Sequence, residues 1–237
     1  MRNALIERLQ TLRNLGPEAQ SVIRFHSQKS VSQPAEPYRK FNRRASSAFI
    51  LLEGLASQSR LLGNGRRQIV ALLTPGAAVD VLTSVYRTPL LAIEFLTPCK
   101  IIRLSGEDVD QILSQPELRQ ALEIQAEIDR NVAYEWITSN GRRSVEHKIC
   151  HLLCEILVRY KCAGTQNWRS VGIPLTQAEL SDIFGISVVH INKTIFNLRQ
   201  RGLIKSGSSR RLLEIDYDAM AKFCDFDSSY LEPNAGV

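Results

Sequence analysis

The sequence predicts an α+β protein: an N-terminal β-roll of jelly-roll type, one long helix, and a small C-terminal helical domain that ends in a β-hairpin. Three observations predict it. Between about Phe25 and Leu104, short aliphatic runs alternate with turn residues. From Pro116 onward, apolar residues recur at steps of three and four. Between Ile173 and Ile204, two short helical signatures are separated by a single glycine turn.

Composition sets the frame. The chain has 237 residues, enough for one or two domains with their own cores. It is 44% hydrophobic and 23% charged, which argues against extensive disorder. Runs such as Ile69-Val70-Ala71-Leu72-Leu73 are far too short to cross a bilayer. The opening segment MRNALIERLQTLRN reads as a charged amphipathic helix without the apolar stretch of a signal peptide. Five cysteines, an odd and sparse number, do not suggest a disulfide framework. A reduced, cytoplasmic protein with no membrane partner is expected.

In the β region, Ala48-Phe49-Ile50-Leu51-Leu52, Gln68-Ile69-Val70-Ala71-Leu72 and Lys100-Ile101-Ile102-Arg103-Leu104 read as strands. Gly54, Gly63-Asn64-Gly65 and Pro75-Gly76 supply their turns. Glu107 to Ser114 follows as a short helix, and Pro116 opens a long one. Along the long helix Leu118, Leu122, Gln125, Asp129, Val132 and Trp136 form a stripe. That stripe suits pairing with a second copy of the chain; packing within its own domain is the alternative. Asn140-Gly141, both tolerant of left-handed backbone, is expected to end the helix. The divisions expected are 1–115 for the β-roll, 116–140 for the pairing helix, 141–216 for the C-terminal domain and 217–237 for an acidic tail.

Charge is concentrated in the third of these. Residues 141–215 carry 12 Lys and Arg against 5 Asp and Glu, a footprint suited to a polyanion. In the same segment Thr176 and Glu179 form a capping box, and Leu180 and Ile183 give the first helix its apolar face. Gly185 makes the turn. Ser187 caps a second helix over Val188 to Arg201, with Ile191, Ile195 and Leu198 buried and Gly202 ending it. This is a helix-turn-helix, whose second helix can enter a major groove. Val188, Val189, His190, Lys193, Asn197, Arg199 and Arg201 remain to reach bases and phosphates. Leu203-Ile204-Lys205 and Arg211-Leu212-Leu213-Glu214-Ile215 read as a hairpin wing, with Lys205, Arg210 and Arg211 near a backbone.

TQAEL, the FGIS turn, HINKTIFNLRQRGLI and the hairpin after it resemble the winged helix-turn-helix of the Crp/Fnr family of bacterial transcription regulators. The segment GNGRRQIVALLTPG and the long helix resemble that family's cyclic-nucleotide-binding-like sensor and dimerisation helix. The resemblance spans about residues 20–216. It implies a homodimer on a palindromic operator in double-stranded DNA, able to contact RNA polymerase, and no catalysis; no nucleotide loop, nucleophile elbow or zinc motif is found. It places Thr176, Gln177 and Ser187 at backbone-facing positions. It places Val188, Val189 and Lys193 where well-studied members carry Arg, Glu and Arg. Valine methyl groups suit thymine methyl groups, so a half-site different from the TGTGA type is expected.

The resemblance also locates the effector pocket, and the match there is poor. The family's Gly-Glu pair falls on Asp80 and Val81, and its Arg-Ser/Thr pair is approached by Arg87-Thr88 about two residues out of register. Control by cAMP is therefore not expected, and the effector is left open. The cysteine cluster of iron–sulfur relatives has no counterpart before Cys99, so no cofactor is expected. His147, Cys150, His151 and Cys154 share one helix face and offer a metal or redox reading, opposed to Val145, Ile149, Leu152 and Ile156. One straight helix cannot wrap four ligands around a metal, so no metal is assigned to them. Cys99, Cys162 and Cys224 read as packing residues.

Overall fold

A computed structural model of the chain describes residues 3–35, 48–82, 91–205 and 212–232. It opens with two helices rather than one: α1 (Ala4–Gln10) and α2 (Pro17–Ser27). Asn3 caps α1, its Oδ1 accepting from Leu5 N at 3.0 Å and Ile6 N at 3.2 Å. Gly16 and Pro17 break the run, and α2 extends past Phe25, where β structure was expected to begin.

Seven strands follow among the described residues: β1 (Val31–Gln33), β2 (Phe49–Glu53), β3 (Ala56–Leu61), β4 (Arg67–Leu73), β5 (Ala78–Val79), β6 (Ala92–Phe95) and β7 (Cys99–Arg103). All pairs are antiparallel, in two sheets ordered β1-β7-β2-β5 and β4-β3-β6. Phe49, Leu51, Ala56, Ile93, Phe95 and Ile101 fill the space between them. The turn from β2 to β3 depends on Gly54, at φ +94°. A Cβ there would lie 2.5 Å from Pro98 O and 2.6 Å from Cys99 Sγ.

Helix α3 (Gly106–Leu113), with Ser105 and Asp108 in a capping box, leads to α4 (Pro116–Arg142). The expected stop at Asn140-Gly141 is not where α4 ends. Gly141 lies within the helix without positive φ, and the break comes where Arg143 turns extended and Ser144 caps α5 (Val145–Cys162). The 3₁₀ turn η1 (Trp168–Ser170), α6 (Gln177–Phe184), α7 (Val188–Gln200) and α8 (Tyr217–Phe223) complete the described elements. Between α7 and α8, Ile204 bridges Ile215 and Lys205 N donates to Glu214 O at 2.7 Å. This is the base of the expected wing; its tip, with Arg210 and Arg211, lies outside the described residues.

Four of the six residues expected to pair with a second chain are buried within this one, while Asp129 is exposed and Trp136 half-buried. Leu118, Leu122, Gln125 and Val132 are buried against the N-terminal helices and β-roll, in one core with Leu5, Leu9, Ile102 and Leu104. Gln125 accepts from Arg8 Nε at 2.6 Å and donates to Asp129 at 2.8 Å, and Trp136 Nε1 donates to Glu155 at 3.1 Å. The physical reason is α1: its Leu5, Ile6 and Leu9 need a cover, and this face of α4 supplies it. An adjoining face of α4, about a quarter turn round from the buried stripe, carries Ala126, Arg130, Ala133 and Ile137, all exposed and spaced four, three and four apart.

The turn geometry carries a stability test. Gly54→Ala is expected to lower unfolding free energy by about 1–3 kcal/mol through positive φ and steric overlap. Gly63→Ala, where an added Cβ meets nothing within 4 Å, is expected to be close to neutral. Denaturant midpoints measure both, and equal midpoints for the two variants would contradict this account of the turn.

Candidate nucleic-acid interface

Local chemistry fixes the helix pair. Thr176 Oγ1 accepts from Glu179 N at 3.2 Å while Glu179 Oε2 accepts from Thr176 N at 2.6 Å, closing the capping box of α6. Gly185, at φ +66°, returns its N–H to Ser181 O at 2.9 Å. Ser181 Oγ then donates to Ile186 O at 2.5 Å, and Ser187 Oγ accepts from His190 N at 3.3 Å to start α7. Leu180 and Ile183 of α6 and Ile191, Ile195 and Leu198 of α7 all sink into one core with Ile149, Leu153 and Leu157 of α5. That burial decides which side of α7 meets water.

The outward face of α7 holds Val188, Val189, His190 and Lys193, all exposed, with Val189 at 81%. Asn197 and Arg199 are half-buried on its flanks, and Gln177 is half-buried at the start of α6. Two further exposed residues lie on the same face of α7: Asn192, and Phe196 at 57%. Their steps of three and seven from Val189 are the signal in the sequence that finds them. A groove of about 490 Å³ runs along this face, with the N-terminus of α5 (Ser144, Val145, Glu146) as its other wall. The α5 contribution has no counterpart in the sequence pattern of the helix pair; only the folded chain brings it there.

Nearby acids are tied to internal partners. Glu179 closes the capping box. Asp182 accepts from Arg67 of β4, which also pairs with Glu94. Glu146 lies 3.4 Å from Arg201, whose guanidinium also sits over Phe223. Arg201 is therefore engaged with α5 and α8 in this arrangement. Lys193 and Lys205 make no ion pair among the described residues and keep their charge toward solvent.

The other predicted groups fall elsewhere. Val81 is buried in the apolar core with Leu5 and Leu118, and Asp80 takes a positive φ beside it. Helix α1 lies so close over the Pro75–Gly76 turn that a Cβ on Gly76 would meet Arg8 Cβ at 2.9 Å. Arg87 and Thr88 lie outside the described residues. The four His and Cys side chains of α5 do not converge. His147 stacks on Phe223 and bonds Ser144 Oγ, while His151 packs on Phe226 and Tyr230. Cys150 and Cys154 are fully buried, and α5 is covered on both sides from Ile149 to Val158, His151 and Glu155 included, not on one. Burial pushes the Cys150 thiol up, away from the thiolate that metal binding or oxidation needs. Burial also lowers His151 to about 4.

Comparison with known proteins follows the same division. Residues 147–223 match the Crp-like helix-turn-helix domain, and residues 39–116 match the cyclic nucleotide-binding domain. The nitrogen fixation regulation protein FixK of Azorhizobium caulinodans is 25% identical over 180 residues, covering 75% of this chain and 71% of that protein. The transcriptional activator protein FnrL of Cereibacter sphaeroides is 26% identical over 184 residues, covering 75% and 73%. The fold is that of FixK2 from Bradyrhizobium japonicum, with a TM-score of 0.67 at 16% identity over 81% of this chain and 95% of that one. With a cyclic nucleotide-binding domain, a long connecting helix and a Crp-like helix-turn-helix in that order, the chain belongs to the Crp/Fnr family of transcription regulators.

Proposed function

We propose that the protein is a homodimeric, sequence-specific regulator that reads a two-fold operator in double-stranded DNA and contacts RNA polymerase from it. The observation that carries this reading is α7: a capped helix, locked from behind by an apolar core, with two valines and an unpaired lysine facing outward. Val188 and Val189 present methyl groups to thymine, and Lys193 and His190 are the polar base readers. Thr176, Gln177, Ser187, Asn197, Arg199, Lys205 and Arg210 set register on phosphate. Arg201 joins them when its contact with Glu146 opens. The known relatives are regulators, not enzymes.

The dimer reading moves to the adjoining, exposed face of α4. Ala126, Arg130, Ala133 and Ile137, with Tyr134 beside them, give a seam with heptad spacing that the described residues leave uncovered. Small alanines allow close approach of two helix backbones. Two recognition helices then meet successive turns of one groove, about 34 Å apart. Control by cAMP is not part of this reading, because the position of the ribose-binding carboxylate is a valine inside the core. No iron–sulfur centre is part of it either: every cysteine of the chain lies at or after Cys99, and all five are buried.

Two experiments test it. Operator selection with the purified chain is expected to return two-fold sites without TGTGA half-sites. Lys193→Glu is expected to reduce affinity about tenfold or more and to flatten the salt dependence. Selected TGTGA half-sites, or an unchanged affinity in Lys193→Glu, would contradict the assignment of α7. Separately, Ile137→Glu is expected to shift the chain from dimer to monomer in sedimentation, whereas Gln125→Glu acts on stability; a dimer that persists in Ile137→Glu would contradict the seam.

A further inference from the structure

A cavity of about 660 Å³ opens between the β-roll and the C-terminal domain, far from the outward face of α7. Its first wall is the end of α2, the turn after β2, and Lys100 on β7. Its second is the end of α5 and the 171–174 segment that leads into α6. The volume falls within the range of small-molecule sites, about 300–1,000 Å³. Leu52, Ala163, Val171 and Pro174 make the lining largely apolar.

The charged groups on these walls are two cations, Lys100 and Arg24, and one carboxylate. The one carboxylate of the lining, Glu53, lies 3.7 Å from Lys100 and is 71% exposed, so solvent screens that pairing and the Lys100 ammonium stays available to a second acceptor. Tyr160 is 7% exposed, lines the cavity, and its hydroxyl has no hydrogen-bond partner among the described residues. The hydroxyl opens to the cavity rather than being sealed in the core, and it can donate to an acceptor placed there.

We propose that this cavity binds a small organic anion with an apolar body, of the class of medium-chain or aromatic carboxylates. The apolar part lies against Leu52, Val171 and Pro174, and the carboxylate accepts from Lys100 and Tyr160. The second wall runs directly into the helix pair: Ile173 N donates to Leu213 O at 3.0 Å, and Thr176 caps α6. Occupancy therefore biases how the helix pair sits on the β-roll, a step that rests on the DNA-binding reading above.

The test uses the full chain without DNA, so that its outcome is independent of that reading. 8-Anilinonaphthalene-1-sulfonate, an apolar anion, serves as the fluorescent probe and decanoate as competitor. One probe molecule per chain is expected, displaced by decanoate at about tenfold lower concentration than by decanol, a difference of about 1.4 kcal/mol. Lys100→Gln is expected to narrow that gap. Thr165→Trp and Val171→Trp each fill the cavity and are expected to abolish saturable binding while circular dichroism stays that of the folded chain. Equal displacement by decanol and decanoate would overturn the proposal, as would unchanged binding in either folded tryptophan variant. A chain that binds decanoate but no duplex would keep the site and refute the regulator instead.

Discussion

The structure depends on the burial of α5. From Ile149 to Val158 nearly every side chain of this helix is inside, touching Leu55, Ile69 and Leu72 of the β-roll, Leu180 and Ile183 of α6, and Ile191, Ile195 and Leu198 of α7. One apolar cluster thus spans both halves of the chain. The hydrophobic effect supplies the drive without direction. Direction comes from a few polar groups in the same layer. Glu155, fully buried, accepts from Trp136 of α4 and Tyr230 of the C-terminal segment and meets Arg159, which donates to Leu72 O at 2.8 Å. A buried carboxylate held this way is a weak source of stability and a strong selector of arrangement, because each donor must be in place. Burial raises its pKa, and the surrounding donors and Arg159 oppose that rise.

Function follows from what this packing leaves outside. Helix α7 has 13 residues and four buried positions, so its remaining surface faces solvent as one continuous strip. The acids around the strip are already engaged, Asp182 with Arg67 and Glu146 with Arg201, which leaves a neutral-to-basic face. The same contacts join the β-roll to the helix pair: Arg67 and Gln68 of β4 both reach α6, and Gln68 Nε2 donates to Ile183 O at 2.9 Å. A shift of the β-roll is therefore a shift of α6, and with it of α7. Coupling of this kind needs no wire beyond packed elements with shared polar contacts.

The helix pair was legible in the sequence because several local signals agree there. Thr176 with Glu179, Gly185 and Ser187 each fix a backbone position, and the apolar spacing between them points the same way. The long helix was legible as a helix but not in its orientation. Periodicity reports that Leu118, Leu122 and Val132 form an apolar stripe, and it is silent on who covers it. The partner, α1, is more than a hundred residues away in sequence, as the Arg8–Gln125 contact shows. The seam that stays exposed is built from Ala126, Ala133 and Ile137 with an arginine between, a pattern too weakly apolar to stand out. Gly141 gave a false stop because glycine permits a left-handed cap without requiring one. The cavity between the halves is lined by residues from seven segments and had no signature at all.

The central claim is that the outward face of α7, and not another surface, meets DNA. Site-specific photo-cross-linking tests it directly, with p-benzoylphenylalanine replacing Val189 on that face or Glu107 on α3. The account predicts cross-links to selected duplex from position 189, competed only by related sequence, and none from position 107. Equal cross-linking from both positions, or none from 189 while the duplex is bound, would contradict it.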